Sequence, residues 1–393
     1  MRVYLDNSAT TRLDDEVLTS MLPYFSDVYG NASSLHGFGR DALAAVDEAR
    51  ASLARLINAK PNEIYITSGG TESDNWALRG TAHAYRKEGR HIISTKIEHP
   101  AVMQTLQALE KEGYSVTYLD VDADGRVTLD ELKKAVRDDT ILVSVMFANN
   151  EIGSIQPIAE IGAFCREEGI LFHTDAVQAM SSIKIDVQKL NIDMLSLSAH
   201  KFHGPKGIGL LYIRSGVRID RLIYGGHQER SYRAGTTNTP GIVGMAKALE
   251  MAVNDMEKNN AKIKRLRDYF VDRVLKEIPY SKLNGGTEHR LVNNANISFD
   301  FIEGESILML LDLEGIAVSS GSACSSGSLE PSYVILALGR KMEEAHSSIR
   351  FSFGKENTME EVDYTIEILK ATVAKLRSWS PLFKEIKGGT LDV

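Results

Sequence analysis

The chain is short of cysteine, of excess positive charge and of long apolar runs, and each shortage closes off a class of protein. Only two cysteines, Cys165 and Cys324, occur in 393 residues. That is too few for a disulfide scaffold and suits a reducing cytoplasm. Acidic residues outnumber basic ones, 53 against 45, for a net charge of −8. The basic face that non-specific nucleic-acid binding needs is therefore not expected. No apolar run approaches the ~20 residues of a membrane span, and the first residues, MRVYLDN, carry no signal-peptide core. Repeats and low-complexity segments are also missing. What is present is ordinary: 43% hydrophobic and 25% charged residues describe a globular protein. At this length one core is hard to sustain, so two domains are expected.

Along the chain, strand and helix patterns alternate. Residues 14–29 and 36–59 carry apolar positions at helical spacing; 63–67, 91–95, 115–119, 141–148 and 171–174 read as strands. Helices starting at Pro100, Thr128 and Ile158 fall between successive strands. Such alternation predicts an α/β fold with a parallel, doubly wound sheet and ligand groups at the carboxyl ends of its strands. From about Val253 a long charged helix reads as a connector. A second α/β unit follows, with strands at 295–299 and 348–353 and helices at 305–313 and 359–376. The last dozen residues are expected to fray.

The stretch SAHKFHGPKGIG (198–209) sets Lys201 between a short apolar strand and a Gly/Pro-rich turn. A lysine there is either a solvated loop cation or an amine held as a nucleophile, able to form a Schiff base with a carbonyl cofactor such as pyridoxal phosphate. The lysine alone does not decide, but its surroundings bear on the question. Gly69-Gly70-Thr71 ends a strand and opens a helix, which is either a plain capped turn or a phosphate cradle of backbone N–H groups at the positive end of a helix dipole. Asp175 closes the strand LFHTD, as a helix cap or as an ionised group that would keep a pyridine nitrogen protonated. Gln178 follows three residues on. Polar groups thus sit at the strand ends Thr67, Asn150, Asp175 and Ser198, all on one predicted rim.

The stretches LDNSATT (5–11), YGNASSLH (29–36), TSGGTESDN (67–75), EHPAV (98–102), NNEIG (149–153), HTDAVQ (173–178), SAHKFHGPKG, YRAGTTN (232–238) and SSGSACSSG (319–327) together resemble the NifS/IscS class of cysteine desulfurases, a branch of the class V pyridoxal-phosphate aminotransferase family. The likeness runs from residue 5 to about 354 in the family's order; Ser8 and Gly70 are small departures from commoner spellings. It implies a type I pyridoxal 5'-phosphate transferase fold: a large domain over 14–257 with a mostly parallel seven-stranded sheet, and a small domain formed by 1–13 and 258–393. It also implies a homodimer. By that resemblance Lys201 binds the cofactor's carbonyl carbon, Gly70, Thr71, Ser198 and His200 hold its phosphate, and Thr236 reaches the phosphate of the other subunit. Asp175 pairs with the pyridine nitrogen, Gln178 bonds the phenolic oxygen, His99 stacks on the ring, and Asn150 and Arg350 grip the carboxylate of L-cysteine.

Cys324 lies among Ser and Gly with almost no apolar anchor, the composition of a flexible segment. Free cysteine is usually buried, so this one reads as a reactive thiol on a movable arm rather than a packing residue. The implied activity converts L-cysteine to L-alanine and leaves a persulfide on Cys324, which passes sulfur to an acceptor such as an iron–sulfur scaffold protein. No resident metal is expected, although Cys324 could transiently ligate an iron–sulfur cluster together with a partner. Cys165, spaced with Ile161 and Phe164 on one helix face, reads as core. The stretch DVDADGRVTLDE (120–131) fits the EF-hand calcium loop, but the alternating YSVTYL before it reads as a strand where an EF-hand needs a helix. The competing reading is an Asp-Gly turn followed by a helix capped by Thr128, with Glu131 closing a capping box. The rival functions are a selenocysteine lyase or another class V pyridoxal enzyme and, outside catalysis, a calcium-binding or scaffold protein.

Overall fold

The structure, a computed structural model, describes residues 1–320 and 330–387. Its strands, in chain order, are β1 (Val3–Tyr4), β2 (Ile64–Thr67), β3 (His91–Thr95), β4 (Ser115–Leu119), β5 (Thr140–Ser144), β6 (Leu171–Asp175) and β7 (Met194–Ser198). They continue with β8 (Gly209–Ile213), β9 (Ser281–Leu283), β10 (Asn294–Phe299), β11 (Ile316–Ala317), β12 (Ser319–Ser320) and β13 (Ser348–Ser352). Seven of them form one sheet in the order β2-β8-β7-β6-β5-β3-β4. Neighbours from β7 to β4 run parallel, while β8 is antiparallel to both β7 and β2. Because β2 and β7 each oppose β8, they point the same way. The carboxyl ends of β2, β5, β6 and β7 therefore share one rim. The expected mixed α/β fold with its mostly parallel seven-stranded sheet is met.

Strands covered on both faces need apolar residues in succession rather than in alternation. Consecutive pairs show it: Ile92 and Ile93, Leu142 and Val143, Met194 and Leu195, Leu210 and Leu211 are all buried, and the two members of each pair enter different cores. One core receives the helices Gly37–Leu56, Ile158–Glu168 and Thr239–Asn254. The opposite core receives Trp76, Leu78 and the Val102, Leu106 and Leu109 stripe of the helix Pro100–Lys111. Cys165 is fully buried in the first of these, as its spacing predicts, and burial pushes its thiol up to about 12.

A second core forms around the antiparallel sheet β12-β13-β10-β9. Phe270 of the helix Met256–Glu277 packs there with Phe351 and Phe353, and the helix Met359–Trp379 adds Ile366, Leu369 and Val373. The chain start joins this core: β1 pairs with β11, and Val3 and Leu5 are buried in it.

Several local readings need correction. Strand β5 stops at Ser144 instead of running to residue 148, because the chain then leaves the ladder and Ala148 bridges Ile155. The charged connector Met256–Glu277 is preceded by a separate helix, Thr239–Asn254, whose Gly-rich, apolar start hides its period. The chain end does not fray from 382: the helix Pro381–Lys387 is held by Phe383, which stacks on Tyr280 and Phe301. In the EF-hand-like stretch β4 enters where a helix would be needed, Asp120 pairs with Lys96, and Asp122 Oδ1 accepts from the N–H groups of Asp124 and Arg126. Thr128 does cap the helix Leu129–Ala135, but Glu131 turns its carboxylate to Lys134 instead of closing a capping box.

Candidate active site

The common rim carries a cavity of about 290 Å³. Its first wall is the turn after β2. Gly69 sits at φ +156° and hands over to the helix that opens at Gly70. This turn lies flat on β8, where a Cβ on Gly209 would come within 2.7 Å of Gly69 Cα; a Cβ on Gly70 would meet Val177 Cγ2 at 2.8 Å. Side chains are thus excluded from Gly209 and Gly70, and Gly70 and Thr71 line the cavity. Ser198, at the end of β7, lies against this turn, 3.7 Å from where a Cβ on Gly70 would sit, and it lines the cavity together with His200. Burial, reinforced by Lys201 and Lys206, pushes the His200 imidazole down to about 4, so the ring is neutral. Its Nδ1 meets Thr10 Oγ1 at 3.1 Å.

Lys201 reaches into the same space, and its Nζ donates to the carbonyls of Ser8 (2.5 Å) and Ala9 (2.9 Å). Gln178 Nε2 also donates to the Ser8 carbonyl, at 2.9 Å. Asp175, at the end of β6, accepts from the Val177 N–H at 2.9 Å. Burial pushes its carboxyl up, while His99 and Lys201 pull it back towards the charged form. His99 begins the helix Pro100–Lys111, and its Nδ1 accepts from the Ala101 N–H at 3.1 Å. That bond leaves the ring proton on Nε2, and burial keeps the ring neutral by lowering its pKa.

Arg350 comes from β13, in the second core, and closes the cavity from above the rim. Its Nη1 donates to the Asn150 carbonyl and its Nη2 to Asp6 Oδ1, both at 2.9 Å. Its Nε is buried with no hydrogen-bond partner among the described residues. An orphaned guanidinium N–H is costly and suits an incoming carboxylate. Asn150 lines the cavity beside it.

Of the residues singled out from sequence, Gly70, Thr71, His99, Asn150, Asp175, Gln178, Ser198, His200, Lys201 and Arg350 line this one cavity. Thr236 does not; it lies exposed in another loop. Cys324 lies outside the described residues, though Ser319 of β12 is the register partner of Arg350. Sequence reasoning missed Asp74, which is buried in the cavity wall with Oδ1 unpartnered among the described residues. Ligand atoms of Asp74, His99 and Asp175 lie within 4.8 Å of one another. Burial, and then Asp175, push the Asp74 carboxyl well up. Its spacing of four from Gly70 is the signal that could have found it, since i and i+4 share a helix face. A glycine cradle, a cavity-facing amine and a buried carboxyl on one rim fit a phosphorylated pyridine aldehyde such as pyridoxal phosphate.

The class-V aminotransferase family matches residues 3–365. The cysteine desulfurase IscS of Methanosarcina thermophila is 55% identical over 380 residues, 97% of this chain and 94% of that protein. Among solved structures, a NifS-like protein superposes with a TM-score of 0.90 at 42% identity, covering 96% of this chain and 100% of that one. SspA in complex with cysteine gives a TM-score of 0.80 at 36% identity, over 91% of this chain and 100% of that one. With identity at this level sustained over nearly the whole length, and the same fold around the same rim, the chain belongs to the class-V aminotransferase family, in its NifS/IscS class of cysteine desulfurases.

Proposed function

We propose that the protein is a pyridoxal-phosphate-dependent cysteine desulfurase that takes L-cysteine to L-alanine and loads the sulfur on Cys324 as a persulfide. The observation that carries this reading is the convergence of Lys201, Asp175 and the Gly70–Thr71 cradle in one cavity with the unpartnered Nε of Arg350. The cysteine bound to the related SspA supports the substrate.

Gly70, Thr71, Ser198 and His200 would hold the phosphate, with Asp175 at the pyridine nitrogen, Gln178 at the phenolic oxygen and His99 over the ring. Pyridoxal phosphate, when bound, supplies an electron-withdrawing ring that lets the Cα–H of an amino acid ionise. Arg350 and Asn150 orient the substrate carboxylate, and that fixes which Cα bond faces Lys201. The Lys201 amine takes the Cα proton. Asp175, whose carboxyl burial pushes up and Lys201 pulls back towards the charged form, would pair with the positive pyridine. His99, with Nδ1 tied to the helix start, moves a proton at the substrate sulfur through Nε2. The Cys324 thiolate then attacks that sulfur: an S–S bond forms as the C–S bond breaks, and the carbon skeleton leaves as L-alanine after protonation. Chain geometry supports the reach. Cys324 is four residues beyond Ser320, whose neighbour Ser319 pairs with Arg350. Four residues span at most about 14 Å.

The domain division is read as 14–257 against 1–13 with 258–393. The protein acts in the cytoplasm as a homodimer, with Thr236 of one subunit completing the phosphate site of the other. It hands sulfur to an acceptor protein of the iron–sulfur scaffold kind. Exposed Phe25, Leu35 and Phe38 near the chain start supply apolar surface for a second copy. No described helix is long and apolar enough to cross a membrane.

Mass spectrometry after incubation with L-cysteine tests the central step. One extra sulfur atom is expected on the peptide bearing Cys324 and none on that bearing Cys165, whose thiol burial holds protonated. Cys324→Ser should leave the cofactor's absorbance intact and stop sulfur release. Alanine and sulfide formed at the normal rate by that variant would point instead to a lyase that expels its product directly.

A further inference from the structure

Two glutamates, each next in sequence to a cavity residue, reach away from the cavity to the same short stretch. Glu151 follows Asn150, and its Oε2 accepts from the Ser332 hydroxyl at 2.5 Å. Glu98 precedes His99, and its carbonyl accepts from the Tyr333 hydroxyl at 2.5 Å. Ser332 in turn caps the helix Tyr333–Ala337 by accepting from the Ile335 N–H. Under that helix lies a small apolar cluster of its own, in which Val334, Ile335 and Leu338 meet Ile97, Met146 and Ile152. All three of these partners flank the site: Ile97 is two residues before His99, Ile152 two after Asn150, and Met146 lines the cavity. The helix is therefore docked on the back of the catalytic residues.

Glu151 is the hub of this dock. Its carbonyl accepts from Asn294 Nδ2 and Asn296 Nδ2 of β10. Its neighbour Asn150 accepts from Arg350. Its carboxyl, pushed up to about 7 by burial against the pull of Ser332 and Arg350, is too deeply placed to be a solvated surface acid. A plain helix cap needs only the lone pairs of Ser332; here its proton is also directed, to a buried carboxyl one residue from Asn150. On the other flank of 321–329, the Ser319 hydroxyl donates to Asp6 Oδ1, the same oxygen that Arg350 Nη2 binds. One flank of the stretch bearing Cys324 is thus pinned to Asp6, a hydrogen-bond partner of Arg350, and the other to Glu151, the neighbour in sequence of its other partner, Asn150.

We propose that Glu151 is a positioning residue for sulfur transfer, holding Ser332 and with it the return of the chain from Cys324 against the Asn150–Arg350 edge of the cavity. This rests on reading Cys324 as the sulfur carrier. Glu151 touches neither substrate nor cofactor, so its removal should spare the Cα chemistry and slow delivery of the thiol.

The test uses the cofactor-loaded enzyme with Ser332→Ala, Glu151→Gln, the double variant and Ser332→Thr. Exchange of the Cα proton of L-alanine with solvent deuterium, followed by NMR, reports the lysine side of the site and needs no Cys324. Appearance of an extra sulfur on the Cys324 peptide reports delivery. Ser332→Ala should keep exchange within about twofold and slow sulfur loading about tenfold, the effect of losing a buried hydrogen bond to an acid. The double variant should be no worse than the poorer single one, because both substitutions act on one contact. Ser332→Thr, which keeps the hydroxyl, should load at close to the normal rate. The proposal is overturned if loading is unchanged in Ser332→Ala, if the two losses add, or if exchange and loading fall together with the melting temperature, which marks a purely structural contact. Cys324→Ser is run alongside. If it still desulfurates cysteine, the carrier reading fails and the proposal falls with it; if it is inactive and only the Ser332 outcomes fail, the pin alone is lost.

Discussion

Asp175 and Asp74 are neighbouring carboxyls of one type with different surroundings. Two acids this close and this buried do not both ionise. Asp175 has Lys201 to favour its anion against the push of burial, whereas burial and then Asp175 itself push the Asp74 carboxyl well up. The charge that faces a cationic pyridine is thus assigned to Asp175 by its surroundings. Asp175→Asn keeps the shape and the bond from the Val177 N–H but removes that charge. Breaking a buried ion pair costs about 3 kcal/mol or more, so turnover is expected to fall roughly a hundredfold or further while absorbance still reports bound cofactor. Activity within a few-fold of the parent enzyme would mean that another group sets the protonation of the ring.

At the scale of elements, the cradle depends on close approach of β8 to the turn after β2. Gly209 pairs with Thr67 in the ladder and has Gly69 Cα in the space its Cβ would take. The obstacle is backbone and cannot swing aside. Gly209→Val should displace the cradle, costing about 1–3 kcal/mol as an overpacked core position does, and weaken retention of pyridoxal phosphate in equilibrium dialysis. Gly37 is the control. A Cβ there meets nothing nearer than the end of the Arg40 side chain at 3.8 Å, and it opens a long helix. Gly37→Ala should be neutral or mildly stabilising and leave retention unchanged. Equal loss of cofactor in both variants would remove the close-approach argument.

The whole molecule places its chemistry between two cores. The rim of the seven-stranded sheet supplies the cradle, the lysine and the acid; the second core supplies Arg350 and, through the chain start, Asp6. A single chain still leaves Thr236 exposed and away from the cavity, and exposes Leu35 at 93% and Tyr224 at 77%. The proposed dimer would account for both. Sedimentation should find a dimer, and Thr236→Ala should loosen cofactor retention about tenfold, the loss of one hydrogen bond to a charged phosphate. A monomer that retains its full complement of cofactor would contradict this.

What the sequence determined by itself was everything carried by short-range pattern. Apolar runs with turn residues between them were enough for the alternating strands and helices, because burial on both sheet faces writes itself into successive residues such as Ile92-Ile93. Lys201, Asp175 and the Gly69-Gly70-Thr71 turn were legible because each ends a strand, and Cys165 because its helical spacing matches Ile161 and Phe164. The resemblance to a known family added roles to these positions. Only the tertiary structure decided which distant residues share a charge or a proton. Asp6 and Arg350 are 344 residues apart in the chain, Glu151 and Ser332 are 181 apart, and nothing local to either member marks the other. The ends of elements escaped for the same reason: β5 stops where the chain bends to meet Ile155, and Phe383 keeps the last described helix in place through Tyr280 and Phe301. A buried polar group is defined by the partner that satisfies it, and that partner is chosen by the topology.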